Sequence, residues 1–252
     1  MSDNISASKI SSYLNCPYYY MMRYEREIPC PVNQYGKRGS DVHNILDKFF
    51  DTDLFKKKID NPEEVFSAHM RNISGTDYYV YQEFLEGFLD IEVKRYIDLL
   101  AEGNEHHFAP IAREIKLTVD GITGVIDRVD YNPKDGFSIT DYKTGLIKNV
   151  KTNWYDEFLV QLSLYCHIFE RKTKIKIRKV HIYGLKQKKF TYNVKEEDIT
   201  NTLNIVKEVR AKIKNEEFEI NNDANCFFCP DNYKRACFKH ALLELGVDEK
   251  DA

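Results

Sequence analysis

Apolar residues recur along this chain at two periods, and the change from one to the other divides it into parts. From residue 6 to 27, Ile10, Tyr13, Leu14 and Tyr18 follow helical spacing, with Ser6 or Ser8 able to cap the element. From 40 to 50, Val42, Ile45, Leu46 and Phe49 make an i, i+3, i+4, i+7 stripe behind Ser40 as N-cap. Residues 62–72 and 81–101 continue as helices. The period then shortens. Residues 111–119, 122–131 and 136–143 read as three strands, separated by turns such as Asn132-Pro133-Lys134-Asp135-Gly136. A helix over 154–170, strands over 177–185 and 189–194, and an amphipathic helix over 196–215 follow, then a cysteine-bearing tail with a short final helix. This order predicts one α/β domain over 1–252. Residues 1–105 are its helical elaboration, 106–195 its core, and 196–252 its last helix and tail.

The 252 residues are 42% hydrophobic and 31% charged, which allows a sizeable core. No run approaches the roughly 18 to 20 apolar residues that span a bilayer. The first residues lack the basic and apolar regions of a secretory signal. The expected place is the cytoplasm, or host cytoplasm if the origin is viral. A net charge of −3 speaks against a nonspecific basic DNA-coating protein, while local patches remain open. Three basic runs stand out: Lys143, Lys148 and Lys151; Lys172, Lys174, Lys176, Arg178 and Lys179; and Lys186, Lys188 and Lys189. A solvated face accounts for any one of them, but the first adjoins the candidate chemistry.

That chemistry lies in two strand segments, Gly124-Val125-Ile126-Asp127-Arg128-Val129-Asp130 and Ile139-Thr140-Asp141-Tyr142-Lys143-Thr144-Gly145. Residues i and i+2 of a strand share a face, so Ile139, Asp141 and Lys143 lie together, as do Val125, Asp127 and Val129. An aspartate flanked by valines on an inward face needs a cation or a lysine as partner. Two carboxylates and a lysine on neighbouring strands can hold a divalent cation beside a phosphate, which points to phosphodiester cleavage. For a single such pair, a structural salt bridge of Asp141 or Asp127 with Lys143 is the favoured reading. Gly145 frees the backbone beside this segment, and Gln161 and Tyr165, at i and i+4 on the next helix, face the same way.

Together, the stretches 124–130, Asp-Tyr-Lys-Thr-Gly at 141–145 and Gln-Leu-Ser-Leu-Tyr at 161–165 resemble the RecB-type branch of the PD-(D/E)XK nuclease superfamily. The resemblance implies a restriction-endonuclease-like core, a mixed central sheet flanked by helices. It implies Mg²⁺ or Mn²⁺ on Asp127 and Asp141, with the backbone carbonyl after Asp141. Lys143 would aid the attacking water or the transition-state charge, and the Gln161–Tyr165 helix would line the DNA site. It further implies His43, in Gly36-Lys37-Arg38-Gly39-Ser40-Asp41-Val42-His43, as a metal ligand. Glu114, in Ala112-Arg113-Glu114-Ile115, would be an additional acidic ligand. Without the resemblance, a histidine on the flank of an apolar stripe is more often structural, and a strand glutamate more often faces solvent.

The six cysteines are Cys16, Cys30, Cys166, Cys226, Cys229 and Cys237. A reducing compartment argues against a disulfide framework. Cys226-Phe-Phe-Cys229, with Cys237 after a seven-residue gap, has metal-ligand spacing but lacks a fourth partner. Cys16, Cys30, Cys166, His240 or solvent could complete it, and the spacing alone suggests zinc. The resemblance implies instead a [4Fe–4S] cluster on Cys16, Cys226, Cys229 and Cys237, as in an iron–sulfur subset of these nucleases that includes CRISPR-associated and recombination enzymes. Thiolate-only ligation suits such a cluster. It would close a loop of about 210 residues, worth roughly 5 kcal/mol at most in the loop-entropy picture. Cys166 reads as core and Cys30 as an ordinary thiol.

The expected activity is metal-dependent DNA hydrolysis, as a single-strand exonuclease with endonuclease activity also open. Its setting would be recombination, repair, CRISPR adaptation or viral DNA processing. Two alternatives come from other classes: a catalytically inactive nucleic-acid-binding module, and a structural subunit of a DNA-processing complex. There is no G-x-x-x-x-G-K-[ST] loop, so unwinding would fall to a helicase partner.

Overall fold

The structure is a computed structural model that describes residues 4–31, 33–147, 154–221, 223–224, 226 and 229–244. Lys148 and Lys151 of the first basic run lie outside the described residues. The described elements, in chain order, are β1 (Ile5–Ser6), α1 (Ala7–Asn15), α2 (Pro17–Tyr20), α3 (Gln34–Lys48), α4 (Pro62–Ser74), α5 (Asp77–Ala101), β2 (Ala112–Val119), β3 (Ile122–Asn132), β4 (Gly136–Lys143), α6 (Trp154–Thr173), β5 (Lys179–Gly184), β6 (Lys189–Asn193), α7 (Glu196–Lys214) and α8 (Asp231–Glu244). They divide into two compact units. The first is Met1–Asn4 with Gln34–Thr200, and the second is Ile5–Asn33 with Asn201–Ala252. Among the described residues no helix is long and apolar enough to cross a membrane.

In the first unit, β2 to β6 lie side by side in a mixed sheet. β3 pairs antiparallel with β2, where Arg113 faces Arg128, and with β4, where Arg128 faces Thr140. β4 and β5 run parallel, Asp141 beside Ile182, and β5 and β6 antiparallel. A parallel pair needs a long crossover, and α6 supplies it. Alternation along β3 and β4 puts Arg128, Asp130, Thr140 and Tyr142 towards α5, and Asp141 towards α6.

The core between α3, α4, α5 and the sheet is rich in phenylalanine: Phe49, Phe50, Phe55, Phe66, Phe88 and Phe108 are all buried. Their rings meet largely edge to face, Phe49 and Phe50 at 5.1 Å and 90°. α5 approaches the chain just after β5 so closely that a Cβ on Gly87 would sit 1.8 Å from the carbonyl oxygen of Leu185. Glycine is therefore required there.

A buried charge cluster sits against this core, and the hydrophobic pattern does not announce it. The Nη1 of Arg128 donates to Glu92 Oε1 at 2.8 Å and to the Tyr142 hydroxyl at 3.2 Å. Its Nε donates to both oxygens of Asp130 at 2.8 Å. Glu92 also accepts from Arg95 Nε and Nη2, at 2.9 and 2.7 Å. Arg128 and Glu92 are both fully buried. Burial alone would raise the Glu92 carboxyl, but Arg128 and Arg95 outweigh it and hold the pKa down at about 2.

The second unit joins the two ends of the described chain. Tyr13 Oη donates to the Glu217 carbonyl at 2.5 Å, Asn221 Nδ2 to Asn15 at 2.8 Å, and Tyr233 Oη to Ile28 at 2.6 Å. Ser6 caps α1 by accepting from the Lys9 N–H.

Two helices differ from the sequence expectation. The single helix over 6–27 is broken at Cys16, which is extended (φ −158°, ψ 106°). Pro17 disfavours the helical region for the residue before it, and it opens α2 as its first residue. A π-helical turn, Met21–Glu25, follows. The second case is α3, which begins at Gln34, six residues before Ser40. Ser40 is no cap: its Oγ donates back to the Gly36 carbonyl at 3.2 Å, as an interior helical serine does. The other elements fall within a few residues of their expected bounds.

Glu92→Ala leaves two arginines facing a site without its shared carboxylate. The expected loss is about 3 to 5 kcal/mol, read from urea unfolding near neutral pH. Because the pKa is depressed, this contribution is present above about pH 4.5 and disappears as pH falls towards 2. Wild type and variant should therefore converge in stability across that window.

Candidate active site

The β3–β4 ladder stops at Arg128 and Thr140, although β4 runs on to Lys143. The N–H and C=O of Tyr142 are thereby left on the side that β3 has vacated, and buried backbone groups need partners. Side chains provide them. Asp127 Oδ2 accepts from the Tyr142 N–H at 2.8 Å, and His43 Nε2, from α3, lies 3.1 Å from the Tyr142 carbonyl oxygen. A carbonyl can only accept, so Nε2 carries the proton in this bond. Nδ1 is turned to Asp127, 3.6 Å from its Oδ2. A ring nitrogen bonded to a backbone carbonyl, with the other turned to a carboxylate, is the arrangement of a metal-binding histidine. The backbone carbonyl expected as a ligand is here the anchor of His43.

Glu114 reaches the same place by a local break in β2. The ladder pairs Arg113 with Arg128 and Ile115 with Ile126 but skips Glu114 and Asp127. Glu114 has φ 45°, in the left-handed region that a glutamate within a strand seldom enters. One ligand atom each of His43, Glu114 and Asp127 then lies within 4.8 Å of the others. β3 changes its facing across the same point. Gly124 lies against α6, where a Cβ would be 2.8 Å from both Tyr165 and Ile168, whereas Arg128, of the same parity, faces α5. The expected inward valine flanks of Asp127 hold on one side only. Val129 is buried, but Val125 is exposed because the strand turns between them.

Asp141 and Lys143 occupy the α6 face beside this group. Lys143 Nζ lies 2.7 Å from Asp141 Oδ2 and donates to Gln161 Oε1 at 3.2 Å. Gln161 Nε2 donates to Asp141 Oδ1 at 3.2 Å and to Tyr165 Oη at 2.7 Å. Asp141 Oδ2 is buried and accepts no aligned hydrogen bond, since the ammonium lies close but off direction.

Charge is not balanced here. Burial first, and then the Asp141 carboxylate, push Asp127 up to about 7, against the pull of His43, Lys143 and the Tyr142 N–H. Burial also raises Glu114, and it raises Tyr165 with Asp141 next. Crowded carboxylates, a buried oxygen without a hydrogen bond among the described residues and an imidazole nitrogen turned inward make a donor set that fits a divalent cation. Oxygen ligands with one imidazole suit Mg²⁺ or Mn²⁺.

The other sequence candidates fall elsewhere. Lys176 and Arg178 pair with Glu196, Arg178 also with Glu170, and Lys179 with Asp135, so this basic run is a salt-bridged surface. Cys166 lies buried in α6, its thiol pushed up to about 12 by burial. Cys16, Cys30, Cys229 and Cys237 join one apolar cluster of the second unit with Tyr18, Met22 and Tyr233. Burial pushes Cys229 up to about 11, with Cys226, Cys16 and Cys237 adding to the rise. All six cysteines are free.

A family profile described as the PD-(D/E)XK nuclease superfamily matches residues 4–238. Among solved structures, one similar to this chain is a crystal structure from Eubacterium rectale described as "Putative exonuclease". The TM-score is 0.52 at 15% identity, over 90% of this chain and 87% of that one, a likeness of fold. No curated protein matches the chain.

Asp127→Asn should stabilise the metal-free protein at pH 8, because it removes a carboxylate that is unfavourable when ionised. The sign follows from the raised pKa. The contribution of wild-type Asp127 is fully present below about 3.8 and is lost as pH rises through about 7. In chelator, the variant's melting temperature should exceed wild type at pH 8, and the gap should shrink by pH 5. Added Mn²⁺ should raise the wild-type melting temperature and leave the variant's nearly unchanged.

Proposed function

The chain belongs to the PD-(D/E)XK nuclease superfamily, and from that premise we propose that it is a metal-dependent DNA nuclease of the RecB type, acting on single strands or free ends. The observation that carries this reading is the chain Lys143–Asp141–Gln161–Tyr165 set beside the His43, Glu114 and Asp127 group. A divalent cation held by His43, Glu114, Asp127 and Asp141 would lower the pKa of a bound water and draw charge from the scissile phosphate.

The chain's own groups do the remaining work. Lys143, steadied by Asp141 and Gln161, presents an ammonium to the charge that develops on the phosphate, or holds the attacking water. Gln161 contacts both partners of the Asp141–Lys143 pair and so fixes their relative orientation. Tyr165 supports Gln161, and its raised pKa keeps the phenol neutral at working pH. With no nucleoside-triphosphate loop in the chain, unpaired strands must be supplied to it by a helicase or by an end already opened. Recombination, repair, CRISPR adaptation and viral DNA processing all present such ends.

For the second unit we propose a [4Fe–4S] cluster on Cys16, Cys226, Cys229 and Cys237, with a structural role. Support comes from free thiols that raise one another's pKa within a single unit. Among the described residues, their sulfur atoms do not gather within 4.8 Å as the ligand atoms of the His43 group do. Free thiols also suit a reducing cytoplasm.

Wild type should cut end-labelled single-stranded DNA with Mn²⁺, and Lys143→Ala and Asp141→Asn should each reduce the rate by about 10²- to 10³-fold. Absence of cutting with every divalent ion tried would reject the nuclease reading. Anaerobically purified protein should be brown, with iron and sulfide in equal amounts, and Cys16→Ser should lose both. Colourless protein carrying one zinc per chain would replace the cluster with a zinc site.

A further inference from the structure

The start of α3 carries a cationic and aromatic constellation that the catalytic group does not use. The Arg38 guanidinium lies 5.1 Å from the ring centres of both Tyr35 and Phe84. Lys186 Nζ lies 4.6 Å from the same Phe84 ring. Two cations thus converge on one ring, with Glu83 paired to Lys186. The Arg38 Nε is buried without a hydrogen-bond partner among the described residues. Phe84 is buried, while Tyr35 is exposed. Aromatic rings occupy the face of a guanidinium and leave its edge for a phosphate.

The position relative to the catalytic group follows from α3. His43 is five residues beyond Arg38, about 7.5 Å of helical rise. Gly39 lies beside the chain just after Lys143, where a Cβ would be 3.7 Å from Thr144 Oγ1. Arg38 thus lies on the helix that carries His43, about a turn and a half before it, and Gly39 beside it packs against the residue that follows Lys143. In the basic run Lys176–Lys179, ion pairs close Lys176, Arg178 and Lys179 with acidic partners, whereas here, among the described residues, only Lys186 has one, Glu83.

We propose that Tyr35, Arg38 and Lys186 form a subsite for the nucleotide next to the scissile bond of a single DNA strand. The proposal rests on the nuclease reading for its register. Arg38 and Lys186 take the phosphate, and the exposed Tyr35 ring stacks on the base. Stacking of this kind needs an unpaired base, which selects a single strand over a duplex.

The test is fluorescence anisotropy of labelled oligo(dT) in chelator, where no metal-dependent cutting consumes the strand. Lys94→Ala, an exposed position on α5, serves as control, and melting curves check that each variant is folded. Arg38→Ala should weaken binding about tenfold and flatten the log–log salt dependence by about 0.7. Tyr35→Ala should weaken it about tenfold with the salt dependence unchanged. Arg38→Lys should restore the salt dependence but not the full affinity. An Arg38→Ala loss no larger than that of Lys94→Ala would overturn the subsite, as would tighter wild-type binding to duplex than to oligo(dT). Hydrolysis of bis(p-nitrophenyl) phosphate with Mn²⁺ separates the two readings. A protein that shows the predicted binding but cleaves neither this diester nor DNA retains the subsite and loses the nuclease.

Discussion

The candidate centre depends on one residue whose backbone is left without a strand partner. Tyr142 continues β4 beside β5, but β3 has already turned away from its other edge. An unpaired buried N–H or C=O costs on the order of 1 to 3 kcal/mol. Asp127 and His43 remove that cost by bonding the two groups. The same two side chains face Glu114, so satisfying the backbone also assembles the donor set. The centre is therefore organised by the fold before any cation arrives. The unusual backbone of Glu114 sits directly opposite Asp127, where the ladder lapses, as expected when a strand break re-aims a side chain beside a site.

Tyr142 also links the two faces of the sheet. Its hydroxyl accepts from Arg128, inside the buried cluster with Glu92, Arg95 and Asp130. A buried ion cluster is not an efficient source of stability, since apolar side chains of similar size can do as well. What it adds is direction. The fork of Arg128 fixes β3 in rotation just where the strand leaves β4. The two faces treat the same functional group in opposite ways. Glu92 has two arginines that outweigh its burial and hold it down at about 2, whereas Asp127 is pushed up to about 7 by burial and then by Asp141 beside it. The α5 side is compensated within the protein. The α6 side sets Lys143 beside the crowded carboxylates of Asp127 and Asp141, and the remaining deficit of positive charge is what a divalent cation would fill.

Periodicity in the sequence was enough to place most helices and all three strands of the meander, because each buries one face against a neighbour. Asp141, Lys143, Gln161 and Tyr165 were legible for the same reason: i, i+2 and i, i+4 spacings translate directly into shared faces, and these residues do meet. Three things were not legible. Nothing in the hydrophobic pattern marks Arg128 as buried, since its partner Glu92 is 36 positions away on another element. The facing of Val125 failed because strict alternation does not survive a break in the ladder. The start of α3 was missed because Gly36 and Gly39 suggest a loop, whereas both lie inside the helix.

The two donor sets differ in hardness, and each lies wholly within one unit. His43, Glu114, Asp127 and Asp141 belong to the first, and Cys16, Cys226, Cys229 and Cys237 to the second. Oxygen ligands favour hard divalent ions and thiolates favour soft ones, so the two sets do not compete for the same metal. The wide sequence separation of Cys16 from the other three cysteines is no objection to reading them together. Loop-closure entropy grows only logarithmically with length, each doubling costing about 0.6 kcal/mol. The hydrogen bonds from Tyr13, Asn221 and Tyr233 already join both ends of the described chain within that unit. A cluster formed there would lock contacts the polypeptide makes by itself, so the role proposed for it is structural.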